Sequence, residues 1–110
     1  MSAFYISGDP MLTINMSRVM PIVTASGRPT VAPYPQWARA GVLMSYSSDP
    51  SDGFRHAGTY VSRILSGTKP GDLPIEQASK FIFALNLKTA KALGVAVPRT
   101  LLALADEVIE

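Results

Sequence analysis

Hydroxyl, carboxylate and aromatic side chains gather in two short runs of this chain, Ser7-Gly8-Asp9 and Ser45-Tyr46-Ser47-Ser48-Asp49, each at the end of an apolar segment. Groups of this kind at the C-terminal end of a strand are equipped to bind a polar solute. Loops and helix N-termini meet at that edge of an open α/β sheet. Helix capping is the other chemistry open to Asp9 and Asp49, since each stands before a proline that opens a helical pattern. Spacing alone leaves both readings open. Tyr34 and Trp37 follow a third apolar segment, where they could form an aromatic wall or pack as ordinary core residues.

Catalysis finds less support. The single histidine, His56, lies beside the apolar stripe of a helical pattern, and the sequence supplies no partner to orient it as a general base. It reads as a surface or boundary histidine. Paired carboxylates at a useful spacing, a Gly-rich phosphate loop, a GxSxG elbow and an HExxH pair are all absent from the sequence. With no cysteine and one histidine, the chain excludes disulfides, thiolate metal sites and a multi-histidine metal centre, and no cofactor is implied.

The elements that position these residues can be read from periodicity and punctuation. Ala3-Phe4-Tyr5-Ile6 reads as a buried strand ended by a turn at Ser7-Gly8-Asp9-Pro10. Leu12, Met16, Val19, Met20 and Val23 recur at helical spacing, with Pro21 predicting a kink or restart and Gly27 a stop. A short strand follows between Pro29 and Pro33, then a helical turn at 36–40. Residues 41–46 form a nearly continuous apolar strand of the kind buried on both faces.

Asp49 or Ser51 can cap the next helix, whose stripe is Phe54, Ala57, Val61, Ile64 and Leu65 and whose end is Gly67. A loop over 68–74 leads to an extended stretch best defined at 80–86. A helix at 87–93 stops at Gly94, and a last helix opening at Pro98 carries Leu101, Leu102, Leu104, Ala105 and Val108. Strands alternating with helices predict a three-layer α/β fold with a mostly parallel sheet.

Composition fits that reading. At 110 residues the chain suits one domain, and 47% hydrophobic with 16% charged residues excludes a disordered polymer. The net charge of +2 is spread singly over Arg18, Arg28, Arg39, Arg55 and Arg63, with Lys80, Lys88 and Lys91 near the end. A nucleic-acid partner needs basic residues clustered on one face, so none is expected. No apolar run reaches the ~20 residues of a membrane span. Residues 1–10 have neither a basic stretch nor a long apolar core, so no secretory signal peptide is expected in this chain.

Several blocks in order give a specific resemblance: GVLMSY (41–46), YVSRILSGTKP (60–70), DLPIEQ (72–77), KF (80–81), NLKTAKALG (86–94) and ADEVIE (105–110). Together they resemble the C-terminal part of the ABC-transporter substrate-binding protein family, whose members have two-lobed periplasmic-binding-protein-like folds. The resemblance covers essentially the whole chain but only that portion of the family. It divides the chain into a lobe core with a hinge strand (1–47) and C-terminal helices with a crossing strand (48–110).

It implies an extracytoplasmic receptor that hands a small organic solute, of an aromatic or amino-acid-like kind, to an ABC permease, with no catalytic residue. The location implied is periplasmic; a chain expressed without a signal peptide is expected in the cytoplasm. The positions matching the family's ligand loops are Ser7, Asp9, Tyr34, Ser45 and Tyr46. Where the family has two glycines before its Leu-Met-Ser-Tyr, this chain has Gly41-Val42, which predicts a different backbone there. Without a second lobe, Phe54, Val61, Ile64, Phe81 and Phe83 are expected to lack part of their cover and to drive homo-oligomerisation. The alternative is a stand-alone oligomeric interaction or sensing domain that kept the fold and lost transport.

Overall fold

Prolines and glycines punctuate the chain as the sequence predicts. A computed structural model describes residues 2–110. Its elements are β1 (Phe4–Tyr5), α1 (Pro10–Ile14), α2 (Met16–Ser26), β2 (Thr30–Ala32), α3 (Pro35–Ala40), β3 (Met44–Ser48) and α4 (Pro50–Leu65). A 3-10 turn (Pro70–Asp72), β4 (Phe81–Asn86), α5 (Leu87–Leu93), α6 (Arg99–Leu104) and β5 (Glu107–Ile109) complete them. Pro10, Pro35 and Pro50 each stand in the first turn of a helix, where a missing N–H costs nothing and φ is preset.

The chain forms two compact units. One takes in the chain up to Ser47 together with Ile82–Glu110, and the other is Ser48–Phe81. The strands lie in the order β1-β2-β3-β4-β5. Pairs β1–β2, β2–β3 and β4–β5 are parallel. The Asn86 N–H, at the end of β4, donates to the Leu43 carbonyl just ahead of β3 at 2.8 Å, so β4 runs opposite to β3. The result is an α/β fold on a mostly parallel sheet.

Within the first unit, Ile6, Ala32, Trp37 and Val42 form a buried cluster. Leu12, Met16, Val19, Met20 and Val23 pack on it from α1 and α2, the helical spacing having placed them on one face. Phe83, Ala84 and Leu85 of β4 are also buried. At roughly 25 cal/mol per Å² of apolar surface removed from water, a side chain the size of Trp37 or Leu85 contributes about 2–3 kcal/mol each.

Six details correct the sequence expectations. β1 is an edge strand with Phe4 and Tyr5 exposed, and only Ile6 beyond it is buried. The helix break falls at Asn15, not at Pro21. α2 runs unbroken through Pro21, where both Pro21 and Ser17, its lost hydrogen-bond partner, lie on the exposed side open to water. Asn15 ends α1 with its side-chain amide donating to the Met11 carbonyl at 2.8 Å.

β3 begins at Met44, because Gly41 adopts φ 123° as the cap of α3 and the Val42 N–H reaches back to the Trp37 carbonyl at 3.0 Å. No described non-glycine residue has positive φ, so Gly41 absorbs the turn and Val42 needs no unusual backbone. Val108 lies in a strand, not a helix. α6 stops at Leu104, and Asp106 clamps Phe83 by donating its N–H to the Phe83 carbonyl and accepting the Phe83 N–H on Oδ2, each at 2.8 Å. Phe83 is buried and therefore does not lack cover, whereas Phe54, Val61, Ile64 and Phe81 are exposed.

Candidate functional site

Parallel pairing of β1, β2 and β3 brings the segments that follow them to one edge of the sheet. Ser7, Gly8 and Asp9 follow β1, Tyr34 follows β2, and Tyr46 is the central residue of β3. Two of these loops converge. A β-carbon built on Gly8 would stand 3.6 Å from the Tyr34 hydroxyl and 3.8 Å from the Pro33 ring, so the tyrosine hydroxyl rests beside the Gly8 backbone. Tyr34 itself packs on the buried cluster. That anchors its ring while its oxygen reaches the loop.

Asp9 does serve as a cap. Its Oδ1 accepts the Met11 N–H at 2.8 Å, and its carbonyl accepts the Leu12 and Thr13 N–H groups. Asp49 caps α4 in the same way through the Ser51 N–H at 2.9 Å. Capping is therefore satisfied at both positions. A carboxylate has two oxygens, and Asp9 spends only Oδ1 in its cap while the residue stays exposed. Ser7 is exposed as well.

On β3 the pleat sends neighbours to opposite faces. Tyr46 is 57% exposed and leans edge-on against Phe83, ring centroids 6.4 Å apart at 75°. Ser45, paired in register with Ala32, is fully buried and its Oγ has no hydrogen-bond partner among the described residues. The strand-end edge thus presents Ser7, Asp9, Tyr34 and Tyr46, while Ser45 lies inside. Trp37 is fully buried too, which removes it from any aromatic wall.

A hydroxyl, a carboxylate oxygen and an exposed ring can bind, but they hold no nucleophile–base pair. Among the described residues no group of His, Cys, Asp and Glu is arranged to hold a metal ion, and no helix is long and apolar enough to cross a membrane.

The second unit holds the histidine in a carboxylate cluster. His56 Nδ1 lies 2.8 Å from Glu76 Oε2, and its Nε2 lies 3.5 Å from Asp52 Oδ2. Arg55 hydrogen-bonds the Asp52 carboxylate and is the main reason that group stays below the usual aspartate range. Tyr60 donates its hydroxyl to the Pro74 carbonyl, tying the 3-10 turn region back to α4. Partial burial, first, and then Glu76 raise the Tyr60 phenol above its ordinary value. These contacts join α4 to the segment after it and leave His56 half-exposed.

Sequence reasoning missed the residues that hold this frame together. Asn86 Oδ1 accepts the Thr89 N–H at 3.0 Å as the cap of α5, and its Nδ2 donates to the Ala38 carbonyl at 2.8 Å. The cap was signalled by an asparagine ahead of a helical pattern; the bond to α3 had no sequence signal.

Comparison with known proteins places the chain in a family. The family model described as ABC transporter substrate binding protein matches residues 1–109. No curated protein matches the chain. Among solved structures, the chain is similar to an ABC domain in complex with L-Trp from Streptococcus pneumonia, with 26% identity and a TM-score of 0.87. A conserved domain protein from Vibrio cholerae O1 biovar El Tor str. N16961 has the same fold at 22% identity and a TM-score of 0.86. Each alignment covers 97% of this chain and 36% of the other. A ligand-free, open substrate-binding protein with adhesive properties from Clostridium difficile follows at 22% identity and a TM-score of 0.64, with 96% of this chain and 35% of that one covered. The chain therefore spans little more than a third of the solved proteins it matches. With a family match along nearly its whole length, this chain belongs to the ABC transporter substrate binding protein family.

Proposed function

We propose that this chain supplies one face of a solute-binding cleft for a small organic solute, aromatic or amino-acid-like, destined for an ABC permease outside the cytoplasm. The observation that carries this reading is the convergence of the Ser7–Asp9 loop on the Tyr34 hydroxyl, on the sheet edge where Tyr46 is exposed. Asp9 would accept from an ammonium or hydroxyl of the solute, and the Tyr46 ring would stack on its flat part. Ser45, fully buried, would support β3 from inside and not touch the solute. The L-Trp bound by the pneumococcal relative supports an amino-acid-like ligand. Nothing in this role calls for catalysis, a cofactor or a nucleic acid.

Enclosed pockets bury most of a ligand, whereas one face leaves much of it in water, so affinity for this chain alone should be near ~1 mM, about 4 kcal/mol. Isothermal titration with L-Trp, L-Phe, benzoate and glucose tests the reading. Saturable heat with the aromatic ligands and none with glucose supports it. Equal response to all four, or to none at 10 mM (roughly tenfold over that Kd), contradicts it.

A second reading has its own observation. Phe54 is 81% and Ile75 100% exposed on the second unit, together with Val61 and Leu65. An apolar face of this kind favours association, and a homo-oligomeric interaction or sensing domain would use it.

A further inference from the structure

At the opposite end of the same strands the first unit holds a cavity of about 550 Å³. Val23 and Thr24 of α2, Arg28 and Thr30 at the start of β2, Leu43 ahead of β3, and Lys88 of α5 are among the residues around it. Tyr34, in the strand-end site, comes after the last residue of β2, whereas Thr30 is its first, so the two places lie at different ends of the sheet. The volume is in the ~300–1,000 Å³ range of small-molecule sites.

The chemistry of the walls is one-sided. No Asp or Glu lines the cavity, and two cations do. Among the described residues neither Arg28 nor Lys88 is paired with a carboxylate. The Arg28 guanidinium sits 5.4 Å from the centroid of the Phe4 ring, a contact that restrains the side chain without neutralising it. Two of the three threonine hydroxyls have already given their protons: Thr30 Oγ1 donates to the Arg28 carbonyl at 3.2 Å and Thr89 Oγ1 to the Gly41 carbonyl at 2.9 Å. The charged side-chain donors are the two cations, joined by the Thr24 hydroxyl, and the rest of the surface is largely Val23, Leu43, Leu93 and alanine methyls.

We propose that this cavity is a second ligand site, taking an amphipathic carboxylate of about ten non-hydrogen atoms. Its carboxylate lies between Arg28 and Lys88, where charge-assisted hydrogen bonds are strongest, and its apolar body covers Val23, Leu43 and Leu93. The site is independent of the strand-end edge and does not rest on the solute reading given for it.

The test is a titration of the 15N-labelled chain with 4-phenylbutyrate, followed by amide chemical shifts and calorimetry. The arms are 4-phenylbutanol, which has the body without the charge, and inorganic phosphate, which has charge without the body. Saturable shifts at Thr24, Leu43 and Thr89 with phenylbutyrate, at least tenfold weaker response to either control, and a loss of about fivefold or more in Lys88→Gln and Arg28→Gln are expected. Both variants should keep the wild-type circular dichroism and Tm, and Tyr46→Ala should leave phenylbutyrate affinity unchanged. Equal affinity for phenylbutanol or for phosphate, shifts confined to residues 7–9, 34 and 45–46, or no saturable binding would each overturn the proposal.

Discussion

Asn86 donates its side-chain amide to the carbonyl of Ala38 at 2.8 Å across 48 positions of sequence, and with the same side chain it caps α5. It is buried, and its backbone N–H also reaches the Leu43 carbonyl. One residue thus ties the return of the chain along β4 to α3 and to the entry of β3. These elements lead into the strand-end edge.

Asn86→Ala should lower unfolding stability by about 2–3 kcal/mol, since it removes a helix cap and leaves a buried carbonyl without its donor. Urea denaturation measures this directly. Asn86→Asp keeps the cap acceptor but sets a buried carboxylate oxygen against the Ala38 carbonyl, and should cost at least as much as Asn86→Ala.

Arg39 and Glu107 form a two-pronged ion pair, Nε and Nη2 each 2.7 Å from a different carboxylate oxygen, which joins α3 to β5. The hydrogen bond from Arg39 holds the Glu107 carboxyl below the usual glutamate range. A depressed carboxyl stabilises the fold above its unfolded pKa of about 4.3 and loses that contribution as pH falls through its folded value. The pair is half in water, so Glu107→Gln should lower Tm by only about 2 °C at pH 7. The gap from wild type should close at pH below the folded pKa. A gap that widens with acid would contradict this.

Ser45→Ala should leave stability unchanged or raise it by about 1 kcal/mol, because the buried hydroxyl it removes has no partner to lose. A loss of 2 kcal/mol or more by thermal or urea unfolding would mean that the hydroxyl is satisfied after all.

The exposed apolar residues of α4 and the segment after it should drive self-association. Light scattering on a sizing column at about 100 μM should show a dimer or larger species, reduced by Phe54→Ser with Leu65→Ser. A monodisperse monomer would remove the oligomeric reading.

Much of the architecture was legible because local chemistry dictated it. Asp9-Pro10 and Asp49-Pro50 mark helix starts by cap and preset φ, and Gly27 and Gly94 mark helix ends with positive φ. What escaped was decided by tertiary contact. Val108 continues a helical pattern, yet pairing with Leu85 and the Asp106 clamp on Phe83 draw it into a strand. Pro21 looks like a breaker, but its lost bond lies on a wet face, while Asn15 breaks the helix with its own side chain. For the candidate edge, residue types and strand ends could be read in order. The inward turn of Ser45, the burial of Trp37 and the approach of Tyr34 to Gly8 depend on packing between distant segments.

The strand-end edge as the solute face is tested most directly by titrating the 15N-labelled chain with L-Trp and mapping amide shifts in wild type and Tyr46→Ala. Saturable shifts clustered at Ser7, Gly8, Asp9, Tyr34 and Tyr46, weakened roughly fivefold or more in a variant that still folds, are the predicted result. Shifts that cluster elsewhere, or that are untouched by Tyr46→Ala, would contradict it.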